Sequence, residues 1–436
     1  MVVALAIAGS DSIGGAGIQA DIKAMAAVGV HAATVITCIT SQNTQRVSDI
    51  LPIPLEHVRS QLEMVLADAK VKAVKTGMLY NGDIAHLVAS RLKGEGFPLV
   101  VDPVLVAGVG DSLHQENLVE TLKRELLPLA SCVTPNRHEA EVLSGLKIVD
   151  QEEARKACER ISRHGPKAVL LKGGHFEGEA AVDILYSDHE FTELRYRRIP
   201  VKVHGSGCDL SSFIAAYLAK GIEPKEAVVQ AKGRIAEAIE SHYPVGKGLE
   251  IADPLASLRR EEQRYSVMLS LKEATEELER ILPREWVPEV GINFAYALPH
   301  ARYYEDVCAL EGRIVSSGNR VARSGCFAFG ASRHVARIVV TAMSFDPGVR
   351  SALNLRYSEN HVDQLKKSRL KAASFDREEE PEGEKTMEWG TRTVIERTGK
   401  VPDVIFDRGG VGKEAMIRLL GHDPQDVLRK LKRAIR

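Results

Sequence analysis

The stretch VKVHGSGCDLSSFIAAYLAKG, residues 201–221, decides the fold class of the first half of this chain. It begins with strand-like alternation, passes through Gly205-Ser206-Gly207, and continues with apolar residues at helical spacing. A glycine pair at the start of a helix lets the backbone approach an anion, and the free N–H groups there favour negative charge. The sequence therefore predicts a strand, an anion-binding turn and a helix in succession.

Two reactive side chains follow the glycine pair. Cys208 lies in the predicted first turn, where a thiol becomes more acidic than its usual pKa of about 8.5, so we predict a functional thiol. The alternative is a small cysteine that packs in a tight turn. Asp209 is predicted to cap the helix or to interact with its positive end, and a role as a supplementary base is the alternative.

Charge and cysteine content exclude several classes of protein. The 436 residues include 58 Lys and Arg against 59 Asp and Glu, so no overall field attracts nucleic acid or an anionic membrane. The six cysteines are scattered singly, without the spacing of a zinc site or a disulfide framework. The apolar start is short and no run approaches the roughly 20 residues of a membrane span. We expect a cytoplasmic protein with no nucleic-acid or membrane partner.

The periodicity divides the chain into two domains. Over residues 1–255, short β-branched runs alternate with helical stretches, which is typical of a parallel sheet covered by helices on both faces. Two alternating runs around Ser187-Asp188-His189 predict an antiparallel hairpin at one edge. Residues 256–267 lose the apolar period and are predicted to be a linker. Residues 268–436 form a smaller α/β or α+β domain.

Glycine-rich turns recur at the ends of the predicted strands of the first domain. They are AGSDSIGGAG (8–17), GVGD (108–111), KGGH (172–175) and HGSGCD (204–209). Ligands of open parallel sheets bind beyond the carboxyl ends of the strands, where these loops converge. One such turn only indicates a backbone with positive φ. Four at one edge predict a binding site for an anionic ligand.

The second domain is predicted to be rich in strands. ARIVVTAMSF (336–345) and RTVIER (392–397) are predicted strands, and helices are predicted over 359–368 and 413–420. GGVGKE (409–414) lacks the spacing of a nucleotide-binding Walker motif. We interpret it as a glycine turn that enters a helix, with Lys413 in the first turn of an anion site.

The first domain resembles the hydroxymethylpyrimidine (phosphate) kinases of thiamin biosynthesis, members of the ribokinase-like fold. HGSGC, IAGSDSIGGAGIQADIKA, SQNT, KTGML, VVDPV, TPNRHEAEVLSG and LLKGGH carry the resemblance, in order, over residues 1–250. It implies an α/β/α sandwich that uses ATP and Mg²⁺. Ribokinase relatives usually place a catalytic Asp where this sequence has Cys208, and Asp209 departs from the small hydroxylic residue that is usual next.

The resemblance assigns roles to individual positions of this sequence. Cys208 and the amides of Gly205 and Gly207 serve the attacking hydroxyl and the transferred phosphoryl group. Lys172 neutralises nucleotide phosphate. Asp102 and Glu139 are implied Mg²⁺ ligands, and Asn136 with Glu139 lies near the nucleotide; the alternative for that last pair is a helix cap. The residues implied to line the pyrimidine pocket are Gly9, Ala16, Asp21, Gln42 and Met78.

The second domain, over about 270–436, resembles the ThiN domain, a thiamin-phosphate synthase found fused behind this kinase. That family joins hydroxymethylpyrimidine diphosphate to hydroxyethylthiazole phosphate and releases pyrophosphate. Arg313 and His334 match the two residues that separate the synthases from DNA-binding regulators, so the resemblance implies catalysis. Further candidate substrate contacts are Ser332, Asn354, Arg356, Asp407, Gly410 and Lys413.

Three hypotheses follow. The first is a bifunctional enzyme that makes the pyrimidine diphosphate and condenses it with the thiazole phosphate. The second keeps the kinase and makes the C-terminal domain a thiamin-phosphate sensor. The third is another ribokinase-like enzyme such as a pyridoxal kinase, which Gln42 and the second domain disfavour. Because related kinases are commonly dimers, we expect a homodimer.

Overall fold

The computed structural model describes residues 1–105, 117–173, 180–318, 320–381, 385–410 and 412–435. The predicted GVGD turn and the end of KGGH lie outside these residues. The chain forms two compact units, Met1–Leu258 and Arg259–Arg436. Within the described part of the chain, no helix has the length and apolar character needed to cross a membrane.

A nine-stranded sheet forms the centre of the first unit. Its order is β3-β2-β1-β4-β5-β6-β7-β8-β9, and six adjacent strands, β2, β1, β4, β5, β6 and β7, run parallel. The strands are β1 Val2–Asp11, β2 Val30–Gln42, β3 Val47–Pro52, β4 Val71–Thr76, β5 Leu99–Val101, β6 Cys132–Val133, β7 Ala168–Leu171, β8 Ala180–Ser187 and β9 Glu190–Arg197. The predicted hairpin is β8–β9, antiparallel at one edge, while antiparallel β3 at the other edge was not predicted.

Helices cover both faces of this sheet because its buried strands alternate between two cores. On β1, Leu5 and Ile7 face one core, and Ala4 and Ala6 face the other. The helices are α1 Gly17–Ala27, α2 Leu55–Asp68, α3 Gly82–Leu92, α4 Leu118–Thr121, α5 Arg137–Ser144, α6 Gln151–Ser162, α7 Ser206–Ala219 and α8 Pro224–Glu240. Helices α1, α7 and α8 pack with the alanine face and α2 to α6 with the other. The short strands β10 Val203–His204 and β11 Glu250–Ile251 pair parallel to each other.

The second unit is built around a mainly antiparallel seven-stranded sheet, with β18–β19 parallel. Its elements are α9 Ala256–Ile281, β12 Phe294–Ala297, β13 Val307–Leu310, β14 Ile314–Ser317, β15 Arg320–Arg323, β16 Phe327–Phe329, α10 Arg333–Phe345, β17 Ser351–Arg356, α11 Glu359–Lys367, β18 Ala372–Ser374, α12 Thr386–Thr398, β19 Val404–Asp407, β20 Met416–Gly421 and α13 Pro424–Ala434. The sheet order is β16-β13-β12-β17-β20-β19-β18, and β14–β15 forms a separate hairpin. Helices α11 and α13 pack with one face, and α10 and α12 with the other.

Four predictions of local structure differ from this architecture. The segments 336–345 and 392–397, predicted as strands, lie in α10 and α12. Their β-branched residues favour strands locally, but Val335, Ile338, Val339 and Ala342 form one buried helical stripe. The segment 413–420, predicted as a helix, contains most of β20. The segment 256–267, predicted as a linker, is helical because Arg and Glu form helices well even without an apolar stripe.

Candidate active sites

A cavity of about 1120 Å³ lies at the carboxyl edge of the parallel strands of the first unit. The strands end there, so the loops that follow β1, β2, β4, β5, β6 and β7 contribute its walls. The sequence-predicted residues that line it are Gly9, Ala16, Gln42, Met78, Asp102, Asn136, Glu139, Lys172, Gly205, Gly207 and Cys208. Of the residues predicted for this site, Asp21 alone is not part of the lining.

A close approach and a positive φ require glycine at position 205, and Gly207 lies close to a lysine. Gly205 is the N-cap of α7 with a φ of 91°, and a Cβ on it would lie 1.7 Å from the carbonyl oxygen of Gly15. A Cβ on Gly207 would lie 3.3 Å from Nζ of Lys172. The first turn of α7 therefore faces a lysine across the cavity. This is the geometry of an anion site at a helix N-terminus.

Cys208 lines the cavity, but its thiol is not acidic. Burial raises its pKa to about 12, because the loss of hydration and the carboxylates of Asp102 and Asp21 outweigh the attraction of Lys75. The prediction of an acidified thiol was therefore wrong. At neutral pH Cys208 is a weak hydrogen-bond donor rather than a thiolate.

Asp209 does not cap α7, contrary to the prediction. Its side chain is fully buried, and neither carboxyl oxygen has a hydrogen-bond partner among the described residues. Burial, reinforced by the charge of Asp21, raises its pKa well above the usual range. Asp209 follows Cys208 by one residue and points inward with the apolar face of a helix that is buried over most of its length.

Lys172 joins two acidic residues at the cavity wall. Its Nζ lies 3.1 Å from Asp102 Oδ1 and 3.9 Å from Glu139 Oε2. Burial opposes the charge on Lys172, but Asp102 and Glu139 outweigh it and raise its pKa. Asp102 also accepts hydrogen bonds from the hydroxyls of Thr134 and Ser211, two contacts that the sequence analysis missed.

Asn136 and Glu139 form a capping box at the start of α5, as the structural alternative predicted. Both residues also line the cavity, so the cap and a ligand contact are compatible. Burial raises the pKa of Glu139 to about 7 despite the neighbouring Lys172. The cap fixes the Glu139 carboxyl at the cavity wall.

The carboxylates fit a magnesium ion. Mg²⁺ keeps several waters and takes one or two protein carboxylates plus substrate phosphates, so it needs no cage of three acidic residues. Within the described ranges, no group of three or more His, Cys, Asp or Glu side chains forms a metal site. Asp102 and Glu139 instead supply two buried carboxyl groups beside Lys172. That donor set suits an ion that arrives with a nucleotide.

Asp21 lies below the cavity, where it binds Lys75. The side chains are fully buried, with Lys75 Nζ 2.7 Å from Asp21 Oδ1, and the hydroxyl of Ser212 donates to the same oxygen. Asp21 therefore does not line the cavity, contrary to the prediction. Lys75 lines the cavity and was missed, although it stands in the KTGML motif.

Gln42 lies in the cavity against two residues that the sequence analysis also missed. The structure places its side-chain Nε2 atom 3.0 Å from Nε2 of His204, and that histidine nitrogen is 2.9 Å from Asp11 Oδ2. Burial opposes ionisation of Asp11, but hydrogen bonds from His204 and from the backbone N–H groups of Ala16 and Ile13 outweigh it and lower its pKa. The loop after β1 and the residue before the glycine pair are therefore bound together at Gln42.

A buried ionic cluster in the second unit is centred on Asp407. Arg418 and Arg377 donate to its carboxylate at 2.7 Å each, and the N–H of Gly409 donates at 2.8 Å. Arg418 and Asp407 are almost completely buried. Asp407 was predicted as a substrate contact, but its role here is to hold the two arginines.

The charge of Arg313 acts on His334. His334 lies in the first turn of α10, and Arg313 immediately precedes β14. Partial burial and the charges of Arg337, Arg313, Arg377 and Arg418 lower the pKa of His334. The imidazole is therefore neutral at neutral pH, surrounded by guanidinium groups that suit a phosphorylated ligand.

The other predicted substrate contacts of this domain differ in burial and in hydrogen bonding. Ser332 is the buried N-cap of α10, without a side-chain capping bond. Arg356 is exposed at the end of β17. Asn354 accepts from the N–H of Asn293 at 2.7 Å and donates to Gly291, so it organises the backbone near Arg313 rather than offering a free amide.

The GGVGKE segment does not begin a helix. Gly410 and Lys413 form an isolated β-bridge before β20, and Lys413 Nζ lies 3.6 Å from Glu380 Oε2. The predicted anion site at a helix start was therefore wrong at Lys413. Strand propensity in MIRLL, together with pairing to β17 and β19, decides the local structure.

The fold and cavity of the first unit define a ribokinase-like kinase, and its structural neighbours belong to that class. A phosphomethylpyrimidine kinase from Clostridium difficile matches with a TM-score of 0.50 and 42% identity, covering 55% of this chain and 100% of its own. A pyridoxal kinase from Staphylococcus aureus, solved with AMP-PCP and pyridoxal, matches with a TM-score of 0.55 and 32% identity, covering 59% of this chain and 95% of its own.

The whole chain is similar to a two-domain relative. The bifunctional thiamine biosynthesis protein ThiDN of Methanocaldococcus jannaschii is 33% identical over 99% of this chain and 97% of its own length. The phosphomethylpyrimidine kinase family model matches residues 11–253, and the thiamine-phosphate synthase ThiN model matches residues 270–433. The chain belongs to the phosphomethylpyrimidine kinase family, with a ThiN domain behind the kinase, and is a transferase of thiamin biosynthesis.

Proposed function

We propose that the chain catalyses two successive steps. The first unit phosphorylates 4-amino-5-hydroxymethyl-2-methylpyrimidine and its phosphate with ATP. The second joins the resulting diphosphate to hydroxyethylthiazole phosphate, giving thiamin phosphate and pyrophosphate. The proposal is supported by Lys172 beside α7 in the first unit and by the arginines around His334 in the second, in a chain that is similar over 99% of its length to a bifunctional ThiDN protein.

The kinase site suits phosphoryl transfer, which depends mainly on positioning and charge stabilisation. Lys172, Gly207 and Cys208 line the same cavity, so the ammonium and the two N–H groups would bind the transferred phosphoryl group there. Cys208, protonated at neutral pH, donates a hydrogen bond there rather than removing a proton. When bound with the nucleotide, Mg²⁺ would be held by Asp102 and Glu139 and would neutralise phosphate charge.

The synthase site suits departure of pyrophosphate. The guanidinium groups of Arg313 and Arg337 lie near enough to His334 to lower its pKa, so they concentrate positive charge at the start of α10. Arginine binds phosphate oxygens through two parallel hydrogen bonds. A neutral imidazole among these charges can donate a hydrogen bond or accept a proton.

The experiment is a four-component assay on the full chain. Purified protein receives hydroxymethylpyrimidine, ATP, Mg²⁺ and hydroxyethylthiazole phosphate, and pyrimidine diphosphate and thiamin phosphate are quantified. The proposal expects both products from the wild type. Arg313→Ala and His334→Ala should accumulate diphosphate, while Arg392→Ala, an exposed arginine of α12, should behave as wild type. Diphosphate without thiamin phosphate in the wild type would favour a sensor domain instead.

Pyridoxal is the second substrate to test, because solved pyridoxal kinases resemble the first unit at 32–35% identity. Gln42 favours the aminopyrimidine, since one carboxamide offers a donor and an acceptor side by side. We expect a higher kcat/KM for hydroxymethylpyrimidine phosphate than for pyridoxal. The reverse preference would assign the first unit to pyridoxal phosphorylation.

A further inference from the structure

His204 connects three parts of the kinase cavity. It precedes Gly205 of the anion-binding turn, bonds Asp11 at the end of β1, and contacts Gln42 at the end of β2. The ring is fixed in place, because a Cβ on Gly15 would lie 2.4 Å from its Cδ2 atom. Only 4% of the His204 side chain is exposed. Because His204 cannot turn, the position of its ring hydrogen determines which atoms of its neighbours can face it.

The Asp11 side determines where the proton of His204 lies. Asp11 Oδ2 accepts from the N–H groups of Gly15 and Ala16 at 3.0 and 2.8 Å, and Oδ1 accepts from Ile13 at 3.1 Å. A carboxyl that receives three N–H donors is an anionic acceptor. His204 Nε2, 2.9 Å from Oδ2, must therefore carry hydrogen. Nδ1 has no partner among the described residues, so the neutral Nε2–H tautomer avoids a second, unpaired N–H.

The orientation of the Gln42 amide follows from this tautomer. The structure places Nε2 of Gln42 3.0 Å from His204 Nε2, so two N–H donors would face each other. Turning the amide over brings its carbonyl oxygen to that position, where it shares the hydrogen with Asp11. At the other end, Oε1 of Gln42 lies 3.4 Å from the hydroxyl of Thr40, whose one hydrogen is also donated to the carbonyl oxygen of Ser10 at 3.0 Å. With the amide turned over, its NH₂ faces the Thr40 oxygen as an acceptor, so both ends favour the same orientation.

We propose that His204 is a positioning residue that fixes this orientation of the Gln42 carboxamide and thereby determines which way round the substrate ring lies in the kinase site. The proposal rests on the proposed function. An aminopyrimidine presents a ring nitrogen acceptor beside an amino donor, and a fixed carboxamide complements that pair in one direction. An amide free to turn over would also bind the inverted ring, which directs the hydroxymethyl group away from α7.

The tautomer is tested first, by ¹⁵N NMR of histidine-labelled full chain. The chain has 14 histidines, so the His204 signals are assigned as those absent from His204→Gln. The proposal expects a protonated Nε2 and an unprotonated Nδ1. A protonated Nδ1 with a bare Nε2 would reverse the required orientation of the amide and overturn the proposal. This measurement does not depend on the substrate.

Kinase kinetics test the positioning role. His204→Phe keeps a ring but removes the donor, whereas a glutamine at this position restores an N–H near the place of Nε2. We expect His204→Phe to lose about tenfold in kcat and in KM together, with kcat/KM little changed, which is the signature of added unproductive binding. His204→Gln should recover to within about threefold of wild type.

Two results would overturn the role. One is a His204→Phe enzyme that folds with the wild-type Tm and only raises KM. The other is a His204→Gln enzyme that is impaired as severely as His204→Phe. A wild-type chain that phosphorylates no aminopyrimidine would instead refute the proposed function, and the NMR result would still decide the orientation of Gln42.

Discussion

Lys75 Nζ lies 2.7 Å from Asp21 Oδ1, and neither side chain is exposed. This pair lies directly beneath the cavity that contains Cys208. Burial disfavours the ammonium form of Lys75, but Asp21, Cys208 and Asp102 outweigh it and raise its pKa. The pair is therefore ionic, and it places a fixed positive charge under the anion-binding turn.

Breaking this pair should strongly destabilise the first unit. Lys75→Met leaves Asp21 as an uncompensated buried carboxylate, so we expect a loss of about 3–5 kcal/mol in the free energy of unfolding. Urea denaturation of the full chain, followed by circular dichroism, measures the loss. Lys72→Met, an exposed lysine of the same strand, is the control. Equal midpoints for the two variants would refute the assignment.

Cys208 should resist alkylation. With its pKa raised to about 12, about one thiol in ten thousand is ionised at pH 8, so iodoacetamide reacts slowly and the rate increases with pH. Exposed Cys326 is the internal comparison. Time-resolved peptide mass spectrometry gives both rates. Labelling of Cys208 at the rate of Cys326 at pH 8 contradicts the protonated thiol.

Because the Cys208 thiol serves as a hydrogen-bond donor, Cys208→Ser should retain measurable kinase activity. We expect a loss of about tenfold in kcat, since a hydroxyl also donates but is shorter. Asp209→Asn should retain most activity, because Asp209 is buried away from the transferred group. Undiminished phosphorylation in Cys208→Ser combined with collapse in Asp209→Asn would reverse the two roles.

Asp209 should make the stability of the wild type depend on pH. Its pKa is raised in the folded chain, so protonation favours folding at low pH and that contribution is lost as pH rises through the folded pKa. Asp209→Asn, neutral at every pH, should gain stability relative to wild type by up to about 1.4 kcal/mol per pH unit above the unfolded pKa. Urea midpoints at pH 5.5 and 8.0 measure this gain. If the midpoint of Asp209→Asn differs from that of wild type by the same amount at both pH values, the prediction is contradicted. That pH-independent result is the one expected for the exposed control Asp68→Asn.

Lys172→Met should separate the two activities. Loss of a charge from the anion site should lower kinase kcat by about 10²–10³-fold. Condensation of supplied pyrimidine diphosphate should be unchanged, because that step belongs to the second unit. Lys167→Met, an exposed lysine just before β7, is the matched control. A parallel loss of both activities would show that the sites are not separable.

The sequence predicted which residues meet at the cavity where backbone geometry determines their position. Gly205 lies where only glycine fits, and the strand ends bring Asp102, Lys172 and Gln42 to one edge. The sequence pattern gave a wrong prediction where burial determines the pKa of a side chain. The helix start at Cys208 predicted an acidic thiol, but desolvation is the larger effect.

Long-range partners account for the other differences. Asp21 pairs with a lysine 54 positions away, and His204 reaches an aspartate 193 positions away, so local spacing carries no signal for either contact. In the second unit, Val335, Ile338 and Val339 have strand propensity, yet the sheet needs a helix on that face. Lys413 precedes a strand because β20 is paired on both sides.

The most direct test of two sites acting in succession is a complementation assay. A Lys172→Met chain and an Arg313→Ala chain are assayed for thiamin phosphate from hydroxymethylpyrimidine, ATP, Mg²⁺ and thiazole phosphate, separately and mixed. The account predicts little product from either chain alone and restored product when Lys172→Met receives the diphosphate made by Arg313→Ala. Substantial thiamin phosphate from Arg313→Ala alone, or none from Lys172→Met supplied with diphosphate, would contradict it.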